Sequence, residues 1–153
     1  MATFQPRTAD PYRDLAVIDA RAPRLNQTFV AAFSIAGAVT GLWWLFAVPA
    51  VQLAVTLRFG RRFCLPCRLY FDVVQPLVGE GELEDSRPPR FANQLGVLFT
   101  GAAALSGAAG LGVLASVLGG VVGGLALLSA ATGFCLGCQF YRLALRLRGV
   151  GTT

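Results

Sequence analysis

Read as apolar against polar positions, the chain alternates between short charged segments and two long uncharged ones. No Asp, Glu, Lys or Arg occurs between Arg24 and Arg58, or between Arg90 and Arg142. These uncharged runs of 33 and 51 residues exceed the roughly 20 helical residues that cross a hydrocarbon core of about 30 Å. Each is therefore expected to fold back as a hairpin of two helices. In the first, Pro23 suits an opening turn and Gly41 a reversal, which predicts helices over about 24–40 and 42–59. In the second, Gly110-Leu111-Gly112 predicts the reversal between helices over about 91–109 and 113–136.

The polar stretches carry weaker signals. Residues 1–18 read as a polar arm with a short interfacial helix around Tyr12 to Ile18, and acidic residues among its arginines argue against a signal peptide. Leu69 to Val74, running into Gln75-Pro76, predicts a short amphipathic helix on a membrane surface. The acidic, glycine-broken residues 79–85 read as a solvated loop, since their spacing does not fit a calcium loop. Trp43 and Trp44 beside the first reversal suit the headgroup region, and Gln52, a lone polar residue on the second helix, suits a helix–helix contact. In the last predicted helix, Gly119 with Gly123 and Gly120 with Gly124 allow close helix approach, within the bundle or in a homo-oligomer. With no lysine beside them, these glycines do not form a phosphate loop.

Composition turns this pattern into a class. Hydrophobic residues make up 55% of the 153 positions and charged residues 14%, with no His and no Lys. Such a balance belongs to a membrane protein. The expected fold is all-α: a polytopic membrane protein whose lipid-bilayer partner encloses four transmembrane helices, with short interfacial helices between them. The 13 Arg lie in the N-terminal, middle and C-terminal segments, and neither reversal carries one. Because the arginine excess marks the cytoplasmic side, the expected location is a plasma membrane, multi-pass, with both termini and the middle segment inside. Nucleic acid is not an expected partner, and the lack of His excludes imidazole-based hydrolysis and His-ligated haem.

A repeat organises the chain further. Phe63-Cys64-Leu65-Pro66-Cys67-Arg68-Leu69-Tyr70 and Phe134-Cys135-Leu136-Gly137-Cys138-Gln139-Phe140-Tyr141 share Phe, Cys, Leu, Cys and Tyr in register and hold all four cysteines. Upstream, Asp19-Ala20-Arg21-Ala22-Pro23-Arg24 answers Asp85-Ser86-Arg87-Pro88-Pro89-Arg90, and an amide pair, Asn26-Gln27 or Asn93-Gln94, follows each. The chain thus reads as one membrane domain with internal repeats over 19–78 and 85–148. Two hairpins in one orientation imply parallel repeats about a pseudo-twofold axis along the membrane normal. Both cysteine motifs then follow the second helix of a hairpin and lie at the cytoplasmic face.

Three chemistries fit Cys64, Cys67, Cys135 and Cys138. Each Cys-x-x-Cys pair can cycle between dithiol and disulfide or carry sulfur, giving a thiol-disulfide oxidoreductase or a sulfur relay. On this reading Cys64, near Arg61, Arg62 and Arg68, is the better nucleophile, because Cys135 and Cys138 would close a helix at its negative end. Alternatively, the twofold gathers all four thiolates around zinc or an iron–sulfur cluster. Thirdly, Arg21, Arg24, Arg87 and Arg90, paired by the same symmetry, would hold a small sulfur anion beside the thiols. Positive-inside anchoring alone also accounts for these arginines, and a non-enzymatic membrane anchor accounts for the cysteines as bridges between the halves.

The order of these motifs, and in particular Glu84-Asp85-Ser86-Arg87-Pro88-Pro89-Arg90-Phe91-Ala92 and Gly133-Phe134-Cys135-Leu136-Gly137-Cys138 with Tyr141, resembles the bacterial integral-membrane family catalogued as domain of unknown function 4395. The resemblance spans nearly the whole chain. It implies a small four-helix membrane protein in a sulfur or thiol context, with thioredoxin-like or rhodanese-like partners. In that family the first cysteine pair is often missing, so a site needing all four thiols would be particular to this chain.

Overall fold

The computed structural model describes residues 8–149. In chain order these form β1 (Val17–Asp19), α1 (Arg21–Thr40), α2 (Trp44–Phe59), a 3-10 turn over Arg61–Phe63, α3 (Leu65–Leu69), a π turn over Tyr70–Val74, α4 (Gln75–Val78), β2 (Leu83–Asp85), α5 (Arg87–Ala108), α6 (Gly112–Thr132) and α7 (Leu136–Leu147). The protein is mostly helical, as its apolar pattern predicts. Of the described helices, α6 is long and apolar enough to cross a membrane, and α2 is a shorter apolar helix.

Both reversals fall where glycine was expected. Gly41 closes α1 in the left-handed region, φ 74°, its N–H donating to the Gly37 carbonyl, and Gly110 turns the second hairpin at φ 85°. The hairpins then exchange partners, α1 lying chiefly against α6 and α2 chiefly against α5. Small residues make this close contact possible. The buried side of α6 is Ala115, Gly119, Gly123, Ala126 and Ser129, while α1 buries Ala22, Asn26, Val30, Ala31, Ser34 and Gly37. Phe46 of α2 fills the space between glycines: a Cβ on Gly37 would lie 2.7 Å from its ring, and one on Gly119 would overlap it. Gly123 abuts Ile35 and Ser34 of α1, whereas Gly124 faces open space. The first glycine pair is thus spent inside the chain.

Four expectations are corrected. Residues 12–18 form no interfacial helix: Val17–Asp19 pairs antiparallel with Leu83–Asp85, Val17 opposite Asp85 and Asp19 opposite Leu83. The same pairing takes Leu83, Glu84 and Asp85 out of the loop expected over 79–85. The surface helix of the middle segment begins earlier, at Leu65, and widens to a π turn where the Gln75 N–H donates to Tyr70 O. Pro76, with no N–H of its own, cannot continue the regular ladder there. Most consequentially, α6 stops at Thr132 rather than near 136, so the second cysteine motif opens a new helix instead of closing a long one. The first seven residues of the arm and the last four of the chain lie outside the described residues.

Asp19 ties the strand pair to the middle helices. It is 1% exposed, and its Oδ2 accepts from Tyr70 OH at 2.8 Å, Gln75 Nε2 at 3.1 Å and Gly81 N at 2.8 Å, while Oδ1 accepts from the Arg21 N–H at 3.0 Å. Burial pushes its carboxyl up, but these donors, led by the Arg21 and Gly81 N–H groups, outweigh burial and hold it below its ordinary value. Burial and the facing carboxylate push the Tyr70 phenol up to about 12. Asp85, the matching residue of the second repeat, is exposed and lies 3.8 Å from Arg87.

Candidate functional site

Each cysteine motif begins a helix, and the two are built alike at the backbone. Cys64 is the residue before α3 and its sulfur accepts the Cys67 N–H at 3.3 Å; Cys135 is the residue before α7 and its sulfur accepts the Cys138 N–H, also at 3.3 Å. Cysteine here fills the capping role usually taken by Ser, Thr, Asp or Asn. The approach to α7 depends on Gly133, which ends α6 at φ 75° with its N–H on Ser129 O. A side chain at Gly133 would also collide with the Arg24 guanidinium.

The surroundings of the two pairs differ. Cys64 and Cys67 form a disulfide within a buried cluster containing Ile18, Ala22, Tyr70 and Phe71. Cys64 is wholly inaccessible, receives the Gln52 side-chain N–H at 3.4 Å and lies 3.9 Å from Asn26 Oδ1. Two of the three arginines expected to activate it are engaged elsewhere. Arg61 donates to the carbonyls of Pro11 and Leu15, each at 3.1 Å, and Arg68 lies 3.7 Å from Asp72. The expectation that this pair is the better nucleophile is therefore reversed.

Cys135 and Cys138 are free and half-buried. The Cys138 thiol is the main influence that brings the Cys135 thiol down to about 6, against burial and with help from the Cys138 N–H, the Ser129 hydroxyl and the Gly137 N–H. Cys138 moves the opposite way, pushed up by its hydrogen bond to Cys135 and by burial. The start of α7 supplies the two N–H groups among these donors, and the positive end of a helix dipole favours an anion in the same sense. The contrary expectation placed this pair at the end of a helix; Gly133 is the residue that changes the sign.

Two cavities meet at Cys135. One, of about 160 Å³, is polar and is lined by Arg24, Gln27, Glu84, Gln139 and Arg142 together with both cysteines. The other, of about 250 Å³, is an apolar groove lined by Val30, Leu53, Phe99, Val122 and Phe140. The polar cavity has a counterpart around the first motif, of about 320 Å³, in which Arg90, Asn93, Thr56, Gly60 and Cys67 recur. Arg24 comes from the first half of the chain and meets the second half's cysteines, while Arg90 does the converse. Arg21 and Arg87 line neither cavity, so the expected cluster of four arginines is not assembled. Nor do the four sulfurs converge: among the described residues no three His, Cys, Asp or Glu side chains are grouped to hold a metal ion. With one pair closed into a disulfide and the other in a separate cavity, the four-thiolate zinc or iron–sulfur arrangement does not fit.

Sequence reasoning missed Ser129 as a partner of Cys135, and missed Gln52 and Asn26 as neighbours of Cys64. The first had a signal, since Ser129 precedes Gly133 by one helical turn.

Together these features define a helical protein of two hairpins, each followed by a helix that a Cys-x-x-Cys motif opens. The chain belongs to the family described as Domain of unknown function (DUF4395), whose model matches residues 18–146. Comparison with curated proteins and with solved structures returned no match.

Proposed function

We propose that this protein is a four-span membrane protein whose Cys135–Cys138 dithiol exchanges disulfides with a thioredoxin-like partner at the cytoplasmic face. The observation that carries the reading is the asymmetry within the second pair: Cys135 is favoured as thiolate while Cys138 is held protonated, in a cavity open to solvent. The Cys135 thiolate attacks one sulfur of the partner's disulfide, forming a mixed disulfide and releasing the other as a thiolate. Cys138 then loses its proton and attacks Cys135, which closes the Cys135–Cys138 disulfide and frees the second partner thiol. Two electrons pass to the partner, and the reverse sequence returns them. The Cys64–Cys67 disulfide, buried except where Cys67 borders the cavity beside Arg90, serves this reading as a closed counterpart.

Several features support the membrane setting. Large apolar side chains stand outward along the hairpin helices, among them Val39, Val51, Leu98, Leu105, Val113 and Val117. On α7, Leu136, Phe140, Leu143 and Leu147 form one exposed apolar stripe with Arg142 and Arg146 beside it, the pattern of an interfacial helix. Neither reversal carries a charge, so the arginine-bearing segments belong inside and the two repeats share one orientation.

The test is a trapping experiment. With an oxidised thioredoxin as probe, Cys138→Ser is expected to accumulate a mixed disulfide on a non-reducing gel, while Cys135→Ser forms none. Equal adducts from both variants, or none from either, would remove the assignment.

A further inference from the structure

The third cavity, beside the first cysteine motif, carries chemistry that the dithiol reading does not use. It lies between the end of α2, the 3-10 turn and the start of α5, and Arg58, Arg61 and Arg90 all line it without any carboxylate. Among the described residues, none of the three guanidiniums has an ion-pair partner; the pairs that occur are Arg13–Asp10, Arg68–Asp72 and Arg87–Asp85. The sister cavity at Cys135 is neutralised, since Glu84 and Asp85 stand there with Arg24 and Arg142. Three like charges around one cavity repel one another unless an anion joins them.

The site is also held in place. Arg61 is fixed by its bonds to Pro11 O and Leu15 O, and Arg58 lies 5.6 Å from the centre of the Phe59 ring. Arg90 stands in the first turn of α5, where the positive end of the helix dipole adds to its charge. Ser86, Thr56 and Asn93 line the same cavity as neutral hydrogen-bonding groups. Arg61 and Arg62 have no equivalents in the second copy, where Gly133 is followed directly by Phe134. The two extra arginines are therefore particular to the first repeat.

We propose that Arg58, Arg61 and Arg90 form a binding site for a phosphate-type oxyanion, either free or as the headgroup of an anionic phospholipid. Guanidinium forks match tetrahedral oxyanions in geometry and charge. A volume of about 320 Å³ is of small-ligand size and leaves room for an ester substituent.

The test uses the full chain, purified in phosphate-free zwitterionic detergent. It is titrated calorimetrically with inorganic phosphate and, separately, with dioctanoyl phosphatidylglycerol, using dioctanoyl phosphatidylcholine as the net-neutral comparison. Saturable one-to-one binding of phosphate or phosphatidylglycerol is expected, weakened at least about tenfold by Arg90→Gln or Arg58→Gln, the loss of one charge-assisted contact. Arg68→Gln, which removes an equal charge outside the cavity, is expected to leave binding unchanged. Phosphatidylglycerol that displaces phosphate identifies a headgroup site, and phosphate that binds alone identifies a free oxyanion site. Absence of saturable binding by wild-type protein overturns the proposal without recourse to any variant. So does an Arg68→Gln loss equal to that of Arg90→Gln, or tighter binding of phosphatidylcholine than of phosphatidylglycerol. Arg90→Lys, which keeps the charge but loses the fork, should bind with an affinity between those of the wild type and Arg90→Gln, and so separates charge from folding effects.

Discussion

At Cys135 the chemistry rests on a few hydrogen bonds, so its consequences are measurable one atom at a time. With its thiol brought down to about 6, alkylation by iodoacetamide should rise with pH through that value and level off near neutrality. An unperturbed cysteine, with a pKa of about 8.5, would still be accelerating there. Cys138→Ala removes the largest influence on that thiol and should move the midpoint upward, and Ser129→Ala should move it less far; an unmoved midpoint in the first variant would contradict the hydrogen-bond origin. Asp19 offers a parallel measurement of stability. Its carboxyl is held below the ordinary value, so it stabilises the fold above the unfolded-state pKa, and that contribution is lost as pH falls through the lower folded value. Asp19→Asn should cost about 2 kcal/mol at neutral pH, on the scale of hydrogen bonds to a charged group, and flatten the acid limb of thermal unfolding. The repeat made Asp19 visible in the sequence. Its burial was not visible, because Asp85 has the same local sequence and remains exposed.

Among the elements, α6 and its neighbours show how close packing replaces large side chains. Gly119→Ala puts a methyl into the Phe46 ring and should destabilise the protein by about 1–3 kcal/mol, the usual cost of overpacking. Gly124→Ala, with open space around it, should be neutral or slightly stabilising because alanine favours helix. Thermal unfolding in one detergent distinguishes the two, and equal effects would mean that the packed face of α6 is wrongly assigned. The hairpin reversals were legible because glycine in the left-handed region ends a helix whatever surrounds it. The end of α6 was less so: the apolar run continues past Gly133 into Phe134, and apolar content alone does not distinguish a continuing helix from two helices joined at a glycine. The strand pair was illegible for a related reason, since three-residue strands carry no usable period and exist only through each other.

Over the whole molecule, the proposed orientation places Cys135 on the cytoplasmic side. A membrane-impermeant maleimide should label it in inverted vesicles and leave it unlabelled in intact cells, with Cys135→Ser as the blank. Labelling only from outside would invert the topology and, with it, the choice of partner. The sequence by itself determined the helical class, the two hairpins, the repeat and the two Cys-x-x-Cys pairs, because each is written in local composition or spacing. Tertiary structure decided which cysteine pair is closed and which is free, and which arginine each pair meets. The hairpins exchange partners, α1 with α6 and α2 with α5, so Arg24 reaches the second cysteine pair and Arg90 the first. Whether a thiol is reactive depends on burial and on the direction of the nearest helix. For this chain both were fixed by contacts between residues far apart in sequence, and by one glycine that turned a helix end into a helix beginning.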